Sequence, residues 1–128
     1  MSWDSYVTNM KASGLQICGI FGQDGNVWAK APELVASQQD VANIVAGIKA
    51  NAFTDGIHLN GIKYTVIATG PDFATAKCRN APSEAEKYLL HVALGNTCVV
   101  MGGIAGAAER TATKLVEDIR DYLAKSNY

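Results

Sequence analysis

Trp3, Tyr6, Trp28, Tyr122 and Tyr128 are the residues whose types and spacing point to chemistry, and that chemistry is recognition rather than bond making. Trp and Tyr join a flat apolar ring to an N–H or O–H donor. Proline offers the complement, a pyrrolidine ring and a carbonyl with no donor of its own. Trp3 and Tyr6 stand three apart in a helical pattern, so their rings project from one side. Tyr122 lies at the margin of the last helical stripe, Tyr128 just past it, and Trp28 follows the first turn. Terminal helices lying side by side, with these rings between them, would make an aromatic groove suited to polyproline II peptides. Ring by ring, a core role is the ordinary reading of a helical stripe. The place of Tyr128 at the end of the sequence and the polar handles of Trp and Tyr favour a surface for the set.

Bond-making chemistry finds little support. A nucleophile needs a positioned base, and the only histidines, His58 and His91, fall on expected strands with no motif around them. Both read as solvated strand residues. Cys18, Cys78 and Cys98 have no ligand spacing, so they read as reduced thiols filling core space, and no metal or cofactor is expected. The stretch Gly102-Gly103-Ile104-Ala105-Gly106 lacks the Lys-Ser/Thr of a phosphate loop and reads as a flexible connection. The chain is therefore expected not to be an enzyme.

These residues must be positioned by one domain, since 128 residues with 48% hydrophobic and 18% charged content suit a single globular core over 1–128. A net charge of -1 gives no nucleic-acid footprint. The start of the chain lacks a basic region followed by an apolar block, so a leaderless cytoplasmic protein is expected, and a monomer.

Ser2 is placed to cap a first helix with Val7 and Met10 on its inner face, stopped by Gly14. Leu15 to Gly22 and Val27 to Ala29 flank a turn and form a hairpin. Ser37 and Asp40 approximate a capping box ahead of a helix with Val41, Ile44, Val45 and Ile48 inward. Asn60-Gly61 is a two-residue hairpin signal before a strand from Ile62 to Thr69, with Tyr64, Val66 and Ala68 on one face. Phe73 to Arg79 is a further strand, and the residues from Asn80 to Glu86 a loop. Gly95-Asn96 joins the last two strands. The last helix carries Ala112, Leu115, Val116, Ile119, Tyr122 and Leu123 on one stripe. Hairpins dominate, so the expected fold is α+β. It has a mostly antiparallel sheet of about six or seven strands, with the terminal helices packed on one face and a further helix on the other.

Ser2-Trp3-Asp4-Ser5-Tyr6-Val7 resembles the N-terminal signature of profilins, the small proteins that bind actin monomers. The resemblance extends to Asp24-Gly25-Asn26-Val27-Trp28-Ala29, to Leu59-Asn60-Gly61-Ile62-Lys63-Tyr64 and to the helix from Lys114 to Leu123, hence along the whole chain. It implies a profilin-like three-layer sandwich in which Trp3, Tyr6, Trp28, Tyr122 and Tyr128 bind proline-rich segments of formin-type assembly factors. Tyr122 stands where some profilins carry a histidine. It also implies an actin-binding face on the far side, at Lys63, Thr65, Lys77, Arg79, Arg110, Thr113, Lys114 and Asp118. Lys77, Arg79, Arg110 and Lys114 would converge there if their strand and helix are neighbours, and such a patch would also suit a phosphoinositide headgroup. An adaptor that reads proline-rich peptides without actin is the alternative.

Overall fold

The computed structural model describes residues 3–53, 56–59, 61–78, 87–106 and 111–128. Its elements are α1 (Trp3–Ala12), β1 (Ile17–Gly22), β2 (Val27–Lys30), α2 (Gln38–Ala50), β3 (Ile57–Leu59), β4 (Ile62–Thr69), β5 (Phe73–Lys77), β6 (Leu89–Leu94), β7 (Cys98–Ile104) and α3 (Thr111–Lys125). Ser2, Asn60, Arg79, the loop expected over 80–86 and Arg110 lie outside the described residues. The strands form one seven-stranded sheet in the order β2-β1-β7-β6-β5-β4-β3, and every pairing is antiparallel. The expected three-layer α+β sandwich is what forms.

Local chemistry explains most boundaries. Ser37 caps α2 through a capping box: its hydroxyl accepts from the Asp40 amide, and its own amide donates to the Asp40 carboxylate at 3.2 Å. Asn51 closes the helix in the left-handed region at φ 51. β3 and β4 pair up to Leu59↔Ile62, which leaves a two-residue connection ending at Gly61 with φ 76. The positive φ of Gly61 suits its place in a tight turn.

The two faces of the sheet carry separate cores. Val41, Ile44, Val45 and Ile48 of α2 pack with Phe21, Tyr64, Val92 and Met101 on one face. Val7 and Met10 of α1 and Ala112, Val116 and Leu123 of α3 pack with Cys18, Ile20 and Val100 on the other. All three cysteines are buried as core residues, and burial pushes the Cys18 thiol up to about 11.

Three expectations are corrected. Gly102, Gly103 and Ile104 belong to β7, a central strand buried along its whole length, and do not form a flexible connection. Glycine there serves packing: a Cβ on Gly102 would sit 2.9 Å from both Leu15 and Val116. Tyr64, Val66 and Ala68 do not share one face, because a register shift between Val66 and Ala68 turns the strand, leaving Tyr64 buried and Ala68 exposed. His91 is 1% exposed rather than solvated. It sits opposite Thr75 across β5 and β6, with Nδ1 2.8 Å from the threonine hydroxyl and its ring stacked on Phe73. Its Nε2 finds no hydrogen-bond partner among the described residues, since the nearest Glu117 oxygen is 3.6 Å away.

Burial, reinforced by the Arg120 charge, pushes the His91 pKa down to about 4. The unfolded chain therefore takes up this proton near pH 6.5, well before the folded one. Stability is complete above that value and falls as pH drops toward 4. The single site accounts for a loss of about 2–3 kcal/mol by about pH 4.5. Urea unfolding at about pH 7.5 and 4.5 measures it, and His91→Gln is expected to remove most of this difference. Gly102→Ala is expected to lower the urea midpoint at neutral pH. Overpacking costs about 1–3 kcal/mol, which outweighs the roughly 0.4–1 kcal/mol gained by stiffening the unfolded chain.

Candidate functional site: an aromatic cluster and a polar flank

α1 enters the site with Trp3 and Tyr6 half-buried, held down by buried Val7 and Met10 on the same helix. β2 supplies Trp28, whose ring lies 4.8 Å from Trp3 and tilted by 38°. Trp3 is the hub: Tyr128 meets it edge-on at 4.9 Å and Tyr6 at 5.8 Å. Tyr6 in turn reaches Tyr122 of α3 at 6.1 Å, and Trp28 reaches Tyr128 at the same separation. All five rings expected from the sequence therefore come together.

Tyr128 is far from frayed. Its carbonyl accepts from the amides of Thr97 in the β6–β7 turn and Cys98 at the start of β7, and its amide donates to the Leu123 carbonyl at 2.9 Å. Asn96 adds a side-chain amide bond to the Ala124 carbonyl. These bonds aim the Tyr128 ring back across α3 onto Trp3 and Trp28. Tyr122 is 55% exposed, so it leaves the buried stripe and forms one wall of the groove. Burial, and then its hydrogen bond with Tyr122, raise the Tyr6 phenol above its ordinary pKa and keep it a donor. The cluster thus presents flat, partly wetted ring faces with N–H and O–H donors. It can stack apolar rings and hydrogen-bond carbonyls.

The second set of expected residues is less unified. Lys63 and Thr65 are exposed on β4, and Thr65 pairs with Lys77 of β5. The row Lys77↔Leu89↔Ile104 runs across β6 to β7, where Ile104 packs with the start of α3. Directly paired residues share a face. Lys77 and Thr65 therefore lie on the α1 and α3 side of the sheet, beyond α3, so the "far side" is that of α3 and not of the sheet. Lys114 and Asp118 form an exposed ion pair at 2.8 Å, which raises the Lys114 pKa. Asp118 also borders a cleft between α1 and α3. Thr113 is half-buried on α3, and the expected convergence through Arg79 and Arg110 falls outside the described residues.

Sequence reasoning missed Glu117 and Arg120. Arg120 donates to Asp72 at 2.9 Å, to Asp121 at 2.8 Å and to the Leu94 carbonyl at 3.1 Å, with Glu117 at 3.5 Å. It ties α3 to the β4–β5 turn and to the end of β6. The one available signal is the spacing Glu117 to Arg120, which places both on one helix flank. Asp72 is distant in sequence and gives none. Among the described residues no group of three His, Cys, Asp or Glu could hold a metal ion, and no helix is long and apolar enough to cross a membrane.

Comparison with known proteins adds the following. The sequence model of the Profilin family matches residues 1–128. Profilin-P of Physarum polycephalum is 30% identical over 132 aligned positions that cover 100% of both chains. The Strongylocentrotus purpuratus profilin is 37% identical over a stretch taking in 50% of this chain and 58% of that protein. Among solved structures, mouse profilin IIa in complex with a double repeat from the FH1 domain of mDia1 superimposes with a TM-score of 0.84 at 22% identity, covering 100% of both chains. A LokiProfilin2 complex with rabbit actin gives 0.70 at 11% identity, covering 94% of each.

Proposed function

Because this chain belongs to the profilin family, we propose that it binds monomeric actin on one surface and proline-rich segments of filament-assembly factors on another. The reading is one of binding and regulation of filament assembly in the cytoplasm, close to the cytoskeleton, with no catalytic residue. The observation that carries it is the ring cluster centred on Trp3, with Tyr6, Trp28 and Tyr128 all within 6 Å of that ring. A core would bury such rings, yet four are half-buried and Tyr122 is mostly exposed. Partly wetted Trp and Tyr side chains with N–H and O–H donors favour a peptide that brings rings and carbonyls. A structural neighbour solved with an FH1 repeat supports the same ligand class.

For actin the support is the family and the neighbour solved with rabbit actin. The contact residues are Lys63, Thr65, Lys77, Arg79, Arg110, Thr113, Lys114 and Asp118. Lys63, Lys77 and Lys114 supply positive charge that would also meet a phosphoinositide headgroup. Two separate surfaces on one rigid domain let actin and a proline-rich segment bind together. The tether then raises the local concentration of actin at the assembly factor.

Oligoproline titration of the intrinsic fluorescence is the direct test, since Trp3 and Trp28 are the only tryptophans and both belong to the cluster. A saturable change is expected. Trp3→Ala should weaken oligoproline binding by at least about tenfold, the cost of losing one buried aromatic anchor, with actin binding retained. Lys114→Glu should do the reverse, weakening actin binding in a polymerisation assay and sparing oligoproline. Equal loss of both activities in either folded variant refutes the two-surface reading. Peptide binding without any actin binding points instead to the adaptor.

A further inference from the structure

Among the described residues, His91 Nε2 is the one buried side-chain polar atom without a hydrogen bond. It lies 3.6 Å from Glu117 Oε2, while Glu117 Oε1 lies 3.5 Å from Arg120 Nη2. The carboxylate thus stands between a guanidinium and an imidazole, short of a good charge-assisted bond to either. Arg120 does not depend on it, since Asp72, Asp121 and the Leu94 carbonyl hold the guanidinium at 2.9, 2.8 and 3.1 Å. Glu117 is also the least confined of the three, with a side chain 35% exposed against 11% for Arg120 and 1% for His91. Few other charges face the ring. Glu117 and Arg120 reach it from α3 and Asp72 from the β4–β5 turn. β5 presents Thr75 and Phe73, with Lys77 one pair further along the same face, and β7 presents Gly102.

We propose that Glu117 is a two-position carboxylate: it rests beside Arg120 while His91 is neutral and closes on Nε2 when the ring takes up a proton, so that a folded acid form keeps α3 docked on β6 through a His91–Glu117 ion pair. The gap to close is small, from 3.6 Å to the roughly 2.8 Å of a charge-assisted bond. Thr75 suits both states of the ring, because its hydroxyl donates to a bare Nδ1 and accepts from a protonated one. Arg120 keeps two carboxylates and a carbonyl when Glu117 leaves it. With the carboxylate at its resting distance, burial and the Arg120 charge hold the His91 pKa down at about 4. A carboxylate drawn to bonding distance favours the charged ring and moves its protonation to higher pH. That narrows the interval between the unfolded and folded pKa values, so less stability is lost on acidification than without the carboxylate.

The test is an NMR titration of the intact chain between about pH 7.5 and 3.5, following the His91 ring, the Arg120 guanidinium and the indole N–H signals of Trp3 and Trp28. His91 is expected to titrate while the protein is folded. In Glu117→Gln, whose uncharged amide cannot balance the ring, its midpoint should fall by about one pH unit. The Arg120 signals should move with the His91 midpoint in the wild type and stay in place in His91→Gln. The indole signals report the ring cluster and should not follow it. An unchanged midpoint in Glu117→Gln overturns the proposal, as does a His91 that takes up no proton before the chain unfolds. Indole signals that track the His91 midpoint also overturn it, because the acid form is then a general loosening and not a local switch. Urea unfolding gives an independent reading: Glu117→Gln should stay close to the wild type at about pH 7.5 and lose more of its urea midpoint by about pH 4.5. Equal losses in the two proteins refute the switch.

Discussion

Close approach of α3, and of the segment that follows α1, to one strand is the constraint on which this structure depends. β7 runs through the middle of the sheet and is buried on both faces, and its Gly102 lets Leu15 and Val116 settle where a methyl group would stand. With α3 seated that low on β7 and α1 packed on β1 and β2, Val7, Met10, Ala112, Val116 and Leu123 close one continuous apolar layer against Cys18, Ile20 and Val100. Lifting either helix would open cavities along this layer, and each lost contact is felt because interiors are close-packed. The same low seating brings the outer flanks of the helices within ring contact of each other.

Exposed aromatics are ordinarily a liability, and here they are tolerated because the scaffold holds them rather than the reverse. Trp3 and Tyr6 ride on a helix whose inner face is fully engaged, Trp28 on a strand paired to β1, and Tyr128 on three backbone hydrogen bonds. A proline-rich segment of the proposed kind would meet rings already held by these elements. Preorganisation of this kind lowers the entropic cost of binding, which for a weakly functionalised ligand such as a proline-rich segment decides whether binding is measurable. A proline-rich segment is itself a stiff helix in solution, so on the proposed reading both partners would lose little freedom.

The other flank of α3 follows different physics. Arg120 is nearly buried and satisfied by two well-placed carboxylates and a carbonyl, while Glu117 stands 3.5 Å from Arg120 and 3.6 Å from His91, bonded closely to neither. Such a network orients α3 over β5 and β6 more than it adds stability, because burying charge offsets much of the attraction between the partners. His91 beneath it stays neutral for the same reason: a second positive charge beside Arg120, in a site with little water, would be costly. Acid sensitivity is therefore a by-product of how the helix is aligned.

The sequence by itself determined everything that depends on near neighbours: the Ser37–Asp40 capping box, the helical stripes, the hairpin before Ile62, the α+β order and the identity of the five rings. Periodicity and turn chemistry act over a few residues and are readable without partners. Tertiary structure decided whatever depends on contacts between distant segments. Gly102 and Gly103 look like a loop until β1 and β6 pair on either side of β7 and Leu15 and Val116 descend on it. Ala68 looks inward until the register shift in β4 turns the strand. His91 looks solvated until α3 covers it, and which neighbours Asp118 meets waits on the rotation of α3 about its own axis. That rotation follows from which stripe finds the deepest packing on β6 and β7, a property of the two surfaces together that neither segment carries alone.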